Sequence, residues 1–317
     1  MIARIFDKIN LRSLLIFSIL SFLIILFINL CKSGGSFSYD KLISSILFCS
    51  FFVFVIYLFI KLDDGGSSNI FFKGIHLISF PIVWLFYPHG PGLVTQKIFI
   101  GVLLICLKYN FIKAIHLNKS VYNIFYYSLI TSILIKFNDI FVLFHLLSVW
   151  IFLNRNYYDI KYLLGLLIPI IFVPSIFYLI NLFLPPSAIL VFDNAININI
   201  IDFNSQLNRN WIWFGLILIA IWVTIFRRPR RKIYINAPDY ESRFIFMSFW
   251  FYLSVLIGIL GLQIGEGRWL LSFIPIAYFF GIFLENIKSD YTKDLIIVFS
   301  ILGMLLFKLI DFNIIFI

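Results

Sequence analysis

The residues of this chain best suited to chemistry are a few charges that stand apart from the rest. Glu266 and Arg268 flank a glycine in Gln263-Ile264-Gly265-Glu266-Gly267-Arg268-Trp269, a minimal turn between two strongly apolar segments. A carboxylate and a guanidinium held that close either pair with each other or face a ligand together. The planar guanidinium suits bidentate contacts to phosphate, and a positioned carboxylate suits general-base work on a hydroxyl. Asp40 ends the run Ser33-Gly34-Gly35-Ser36-Phe37-Ser38-Tyr39-Asp40, and Asp193 and Asp202 lie in the Asn-rich stretch 185–210, which also carries Arg209. Asp40 and Glu266 are therefore the candidate catalytic carboxylates. Arg268, Arg209, Asp193 and Asp202 are the candidate substrate-binding residues. The plainer reading of each acid is a solvated loop residue, and of the Glu266–Arg268 pair an interfacial ion pair beside a belt tryptophan.

The remaining reactive residue types point to no metal or redox chemistry. The histidines, His76, His89, His116 and His145, have neither HxxxH nor HExxH spacing. The acids match no EF-hand loop, and no phosphate-binding P-loop is present. Cys31, Cys49 and Cys106 form no CxxC pair and read as small apolar residues in or beside apolar segments. No metal and no cofactor is expected from the residues themselves. His145 falls in the middle of an apolar run, where an ionisable group is a functional hypothesis by default. A neutral imidazole bonded to a neighbouring helix is the plainer account. The densest charge run, Arg227-Arg228-Pro229-Arg230-Arg231-Lys232, reads as a topology determinant. Its alternative is contact with anionic lipid headgroups, at about 1 kcal/mol per cation.

These residues must be positioned by elements of an unusual composition. Of 317 residues, 62% are hydrophobic and 13% charged, with a mean hydropathy of +1.02. Soluble domains carry about 45–50% apolar and about 25% charged residues, so this chain lacks the polar surface to cover a core in water. Disorder, collagen, coiled coil and a disulfide scaffold fail on the same figures. The 40 phenylalanines accompany many Ile, Asn and Lys, all residues with AT-rich codons, and read as coding bias rather than as an aromatic binding box.

Taking about 20 apolar residues per crossing, the candidate spans are 14–30, 42–60, 70–87, 92–107, 121–135, 137–153, 162–184, 211–226, 244–264, 269–284 and 295–311. Pro81, Pro88 and Pro91 leave the third and fourth open to being a broken or re-entrant pair. With the N-terminus inside and the spans alternating, 18 of the 25 Lys and Arg fall on the inner side and seven on the outer, the bias the positive-inside rule predicts. The +10 net charge is thus largely topological and implies no nucleic acid. The first span is followed by no small-residue cleavage site, and Leu30 precedes Cys31 where a lipobox needs a small residue, so it reads as a retained anchor. No repeat period is visible. The expected fold is all-α: a polytopic transmembrane helical bundle of about 11 spans (9–11), with a cytoplasmic N-terminus and no soluble domain. Residues 1–317 form a single integral membrane domain, with 185–210 the longest outer loop and 227–243 a basic cytoplasmic loop. The expected location is a bacterial inner (cytoplasmic) membrane.

Two resemblances rest on particular residues. The stretch from Lys97 to about Leu184 has a short span ending near Lys108, a hairpin through Lys136-Phe137-Asn138-Asp139, and then Asn154-Arg155-Asn156-Tyr157-Tyr158 and Gly165-Leu166-Leu167-Ile168-Pro169. With Trp269 to Lys293, it resembles an uncharacterised Bacteroidota-type family of multi-pass inner-membrane proteins, which implies a fold but no activity. Separately, Glu266-Gly267-Arg268-Trp269-Leu270-Leu271-Ser272-Phe273-Ile274-Pro275 is similar to a stretch in late spans of C-superfamily glycosyltransferases. Those enzymes use polyprenyl-phosphate sugars at the outer face and carry an acid in the first outer loop, where Asp40 stands here. Their first outer loop is long and structured, whereas here it is confined to about residues 31–41.

Three functions stay open on this reading. The first is an integral membrane subunit or scaffold of a cell-envelope assembly, with the bilayer and other envelope proteins as partners. The second, implied by the glycosyltransferase resemblance, has Arg268, with Arg209 or Lys136, hold the phosphate of a polyprenyl-linked donor while Asp40 or an acid of 185–210 serves as base. Only there would a divalent ion enter, bridging the phosphate. The third is a transporter.

Overall fold

The structure, a computed structural model, describes residues 11–32, 74–86, 121–137, 160–183, 203–226, 238–259 and 270–311, with isolated positions elsewhere (5, 6, 39, 42, 43, 46, 49, 50, 53, 54 and 145). Among the described residues every regular element is an α-helix. They are α1 (Leu11–Lys32), α2 (Gly74–Phe86), α3 (Val121–Phe137), α4 (Ile160–Phe183), α5 (Phe203–Phe226), α6 (Pro238–Ile259), α7 (Leu270–Glu285) and α8 (Asp290–Asp311). Each coincides with a segment expected as a span. The expected spans 92–107 and 137–153 lie outside the described residues except for Phe137 and His145, and 42–60 is described only at isolated positions.

Long apolar side chains and few charges make these segments helical, because a helix satisfies its own backbone groups wherever no water can. One described helix, α4, is long and apolar enough by length and composition to cross a membrane. Shorter apolar helical stretches are Arg12–Phe27, Ile75–Leu85, Ile124–Ile133, Trp213–Phe226, Met247–Ile259 and Ser272–Glu285. Three helices start five or more residues before their apolar runs. Helix α5 begins at Phe203 rather than 211, taking in Asn204 to Asn210, α6 begins at Pro238 rather than 244, and α8 at Asp290 rather than 295. Proline is favourable in a first helical turn, where its missing N–H has no partner to lose. Between α7 and α8 the turn is held by Asn286, whose Nδ2 donates to the Ile282 carbonyl oxygen at 2.8 Å. Ser289 then caps α8, its Oγ accepting from the Thr292 N–H at 3.4 Å.

The described helices fall into two compact units, one holding α1, α2, α5, α6, α7 and α8, the other α3 and α4. In the first, α7 is closely enclosed, with every residue from Ser272 to Ile282 buried, as is every residue of α2 from Ile75 to Leu85. Helix α2 runs antiparallel to it: Trp84 meets Phe273 with ring centroids 5.3 Å apart, Ser79 reaches Ala277, and His76 lies against Gly281. Phe279 of α7 takes the rings of Phe244 and Phe251 of α6 edge-on, each at 5.7 Å. Thr224 of α5 lies 2.6 Å from the Tyr252 hydroxyl of α6. The Thr224 hydroxyl also lies 2.8 Å from the Ile221 carbonyl oxygen of its own helix, and either hydroxyl can be the donor of the Thr224–Tyr252 pair.

In the second unit, α4 turns Tyr162, Gly165, Leu166, Pro169 and Val173 inward, a stripe at three- and four-residue spacing. Gly165 is where α3 comes closest: a Cβ there would lie 3.1 Å from Val121 Cγ1 and 3.4 Å from the Val121 carbonyl oxygen. Two turns along α3 from Val121, the Ser128 hydroxyl donates to the Leu166 carbonyl oxygen at 2.6 Å. The Ser132 hydroxyl, one turn beyond Ser128, is buried and has no hydrogen-bond partner among the described residues. These two serines should therefore respond oppositely to alanine. Ser128→Ala should cost about 0.6 kcal/mol, the typical worth of an interhelical hydrogen bond in apolar surroundings. Ser132→Ala removes an unsatisfied hydroxyl and should be neutral or stabilising by about 1 kcal/mol. Thermal unfolding of both variants in one detergent checks the sign.

Candidate functional site

None of the residues singled out for chemistry can be assembled into a site from the described residues. Asp40, Asp193, Asp202, Glu266 and Arg268 lie outside them, and Arg209 is placed only as a backbone position in the second turn of α5. Lys136 likewise has only its backbone described, near the end of α3. Among the described residues no group of three or more His, Cys, Asp or Glu is placed to hold a metal ion.

What the structure does bring together is a polar cluster that the sequence pattern did not single out. His76, in the first turn of α2, is 1% exposed. Its ring stacks on Tyr278 of α7 with centroids 5.7 Å apart and planes inclined by 24°. One turn along α2, Ser79 is fully buried and its Oγ lies 2.6 Å from the His76 carbonyl oxygen and 2.7 Å from the Ala277 carbonyl oxygen of α7. A hydroxyl has one proton to donate, so Ser79 serves the two carbonyls as a shared, three-centre donor or by rotating between them. Tyr278 and Ser272 are a buried phenol and a second buried hydroxyl of α7.

Sequence and packing explain why the cluster sits here. Helices α2 and α7 each contain one proline, Pro81 and Pro275, which withholds an N–H from the carbonyl four residues earlier, Leu77 and Leu271. Both are otherwise apolar and enclosed, so the polar groups of His76 and Ser79 have only helix neighbours to turn to. Gly281 supplies the space. A Cβ on it would lie 2.3 Å from His76 Cδ2, closer than any real side chain approaches. The signal available in the sequence was a histidine in an apolar segment and a glycine in another; nothing in their spacing links them.

The chemistry open to this arrangement is restricted by its burial. His76, Ser79 and Tyr278 are each 1% exposed or less, so they face helices and no bulk reactant. A Ser hydroxyl bonded to main-chain carbonyls, in low dielectric, ties backbone to backbone, and its loss leaves desolvated acceptors behind. The cluster is thus a helix-pairing device. Comparison with known proteins finds no matching family model, no matching curated protein and no matching solved structure.

Proposed function

We propose that this chain is an integral protein of a bacterial cytoplasmic membrane, a polytopic bundle of about 11 spans that acts as a subunit or scaffold of an envelope assembly. The observation that carries the reading is α4. Outside its inward stripe, Leu163, Leu167, Ile171, Phe172, Leu179 and Leu182 are all exposed, so the helix is apolar on every side. Water would not tolerate that surface; hydrocarbon is its natural solvent. Its buried side has the complementary character, a glycine and a carbonyl accepting from a serine, which is how helices associate when lipid removes the hydrophobic drive between them. Exposed apolar residues recur on α1 (Leu15, Ile19, Leu23) and α8 (Leu295, Phe299, Leu302).

The direction of one packed pair supports the span count. The 11-span order has six crossings between α2 and α7, from 92–107 to 244–264, which makes them antiparallel. That direction agrees with the side-chain contacts. Dropping any single span between α2 and α7 would reverse that parity.

A subunit role is supported by Ser79, Ser128 and the Thr224–Tyr252 pair, whose hydroxyls join neighbouring helices, whereas Thr131 and Ser254 bond within their own helices. Paired reporter fusions after Lys61, Lys119, Lys161 and Lys232 should all report cytoplasmic, and fusions in 185–200 should report the outer side. Purification in mild detergent should retain a stoichiometric protein partner. A co-purified polyprenyl-phosphate lipid in place of a partner would instead favour the lipid-linked glycosyltransferase reading of Asp40 and Arg268.

A further inference from the structure

We propose that His76 and Gly281 form a key and notch that fix a single register of α2 along α7, with the Ser79 hydroxyl as the tie that holds it. The inference does not depend on whether the protein serves as a subunit, an enzyme or a transporter. It starts from the geometry at Gly281. A Cβ at that position would meet three atoms of one ring, His76 Cδ2 at 2.3 Å, Cγ at 2.8 Å and Nε2 at 3.0 Å. The imidazole thus occupies the volume a side chain would take, and it is a rigid ring, not the free end of a flexible chain.

The surroundings leave the ring one seat. Because the helices are antiparallel, a slip of one helical turn would bring His76 opposite Ala277 or Glu285. Ala277 already projects a methyl group into a fully buried position, and Glu285 carries a full side chain where Gly281 leaves the space the ring needs. Either slip also carries Ser79 away from the Ala277 carbonyl oxygen that it reaches at 2.7 Å. On the near side Tyr278 stacks on the same imidazole, so ring and notch are held from two directions. Packed interfaces of this kind have discrete arrangements and no continuum between them. In a membrane, where apolar surfaces alone discriminate weakly between registers, a buried polar residue is the best-attested means of selecting one.

Second-site rescue of the full-length protein tests the key and notch. Gly281→Ala should lower the thermal midpoint in detergent sharply or abolish recovery of folded protein. His76→Ala in the same chain should restore folded protein, the coupling a contacting pair shows in a double-mutant cycle. Ser79→Ala should lower the midpoint by less than Gly281→Ala and leave the notch intact. A Gly281→Ala protein with the wild-type midpoint would overturn the key and notch, and so would a double variant no better than Gly281→Ala alone. A Ser79→Ala protein indistinguishable from wild type would remove the tie.

Discussion

Ile171→Arg should abolish stable membrane insertion of the chain, or reduce folded yield severely, while leaving every described buried contact untouched. Ile171 sits at the middle of α4 and is 68% exposed, and its carbonyl oxygen accepts only from Ser175 on the same helix among the described side chains. In water such a position is the most permissive in a protein, and exchanging an exposed isoleucine for arginine would be neutral or would improve solubility. In hydrocarbon the same change costs about 2.5–3.5 kcal/mol on insertion scales at a helix centre. The two solvents thus give opposite signs for one substitution. Flotation of membranes and yield of folded protein read the result. Unchanged yield with improved solubility would refute the membrane reading of α4, whereas Lys161→Ala, in the first turn of the same helix, should have little effect. Lys161 lies over the Tyr162 ring at 5.2 Å, a contact worth about 0.5–1 kcal/mol at an exposed site.

How far the molecule was legible before its structure can be judged from particular residues. Helix positions were readable because runs of Leu, Ile and Phe free of charge state their own length, and α1, α3, α4 and α7 lie where hydropathy puts them. The helical turns before 211, before 244 and before 295 were not readable that way. Asn204, Asn208 and Asn210 say nothing apolar, and hydropathy registers the solvent of a segment, whereas helix formation registers its backbone bonds. Exposure was readable only as a total. That α4 is apolar on all sides is plain from its sequence, but that Gly165 and Leu166 form the side facing α3 depends on Val121 and Ser128.

The polar cluster shows the same division. The acids at 40, 193, 202 and 266 drew notice because charge beside an apolar segment is visible locally. His76 is locally no more distinctive than His145, and Gly281 no more than Gly303, where a Cβ would meet nothing within 4 Å. Pairing of distant segments is a property of helix packing, which a single sequence encodes only through the shapes of side chains on faces whose partners are not yet known. The histidine that matters to the fold was therefore hidden by the absence of its partner from view.

The largest loss of stability from truncating a single side chain is expected at Phe279. This ring is 0% exposed and is met edge-on by Phe244 and Phe251, so it joins α6 to α7 inside their unit. In water Phe→Ala costs about 3–5 kcal/mol, the sum of a transfer part and a cavity part. If the helices stay in lipid when they separate, the phenyl group never enters water and most of the transfer part disappears. What remains is the lost dispersion and edge-to-face contact with two aromatic neighbours plus the void left behind, on the order of 2 kcal/mol. Leu302→Ala provides the contrast. Leu302 is 54% exposed on α8, lipid fills the space it vacates, and the expected change is within about 0.5 kcal/mol. Thermal unfolding of both variants in lipid nanodiscs should show a clear drop for Phe279→Ala and almost none for Leu302→Ala. Equal, small effects would mean that α6 and α7 are not held together through this ring. Equal, large effects would mean that α8 is covered by protein where the membrane reading places acyl chains.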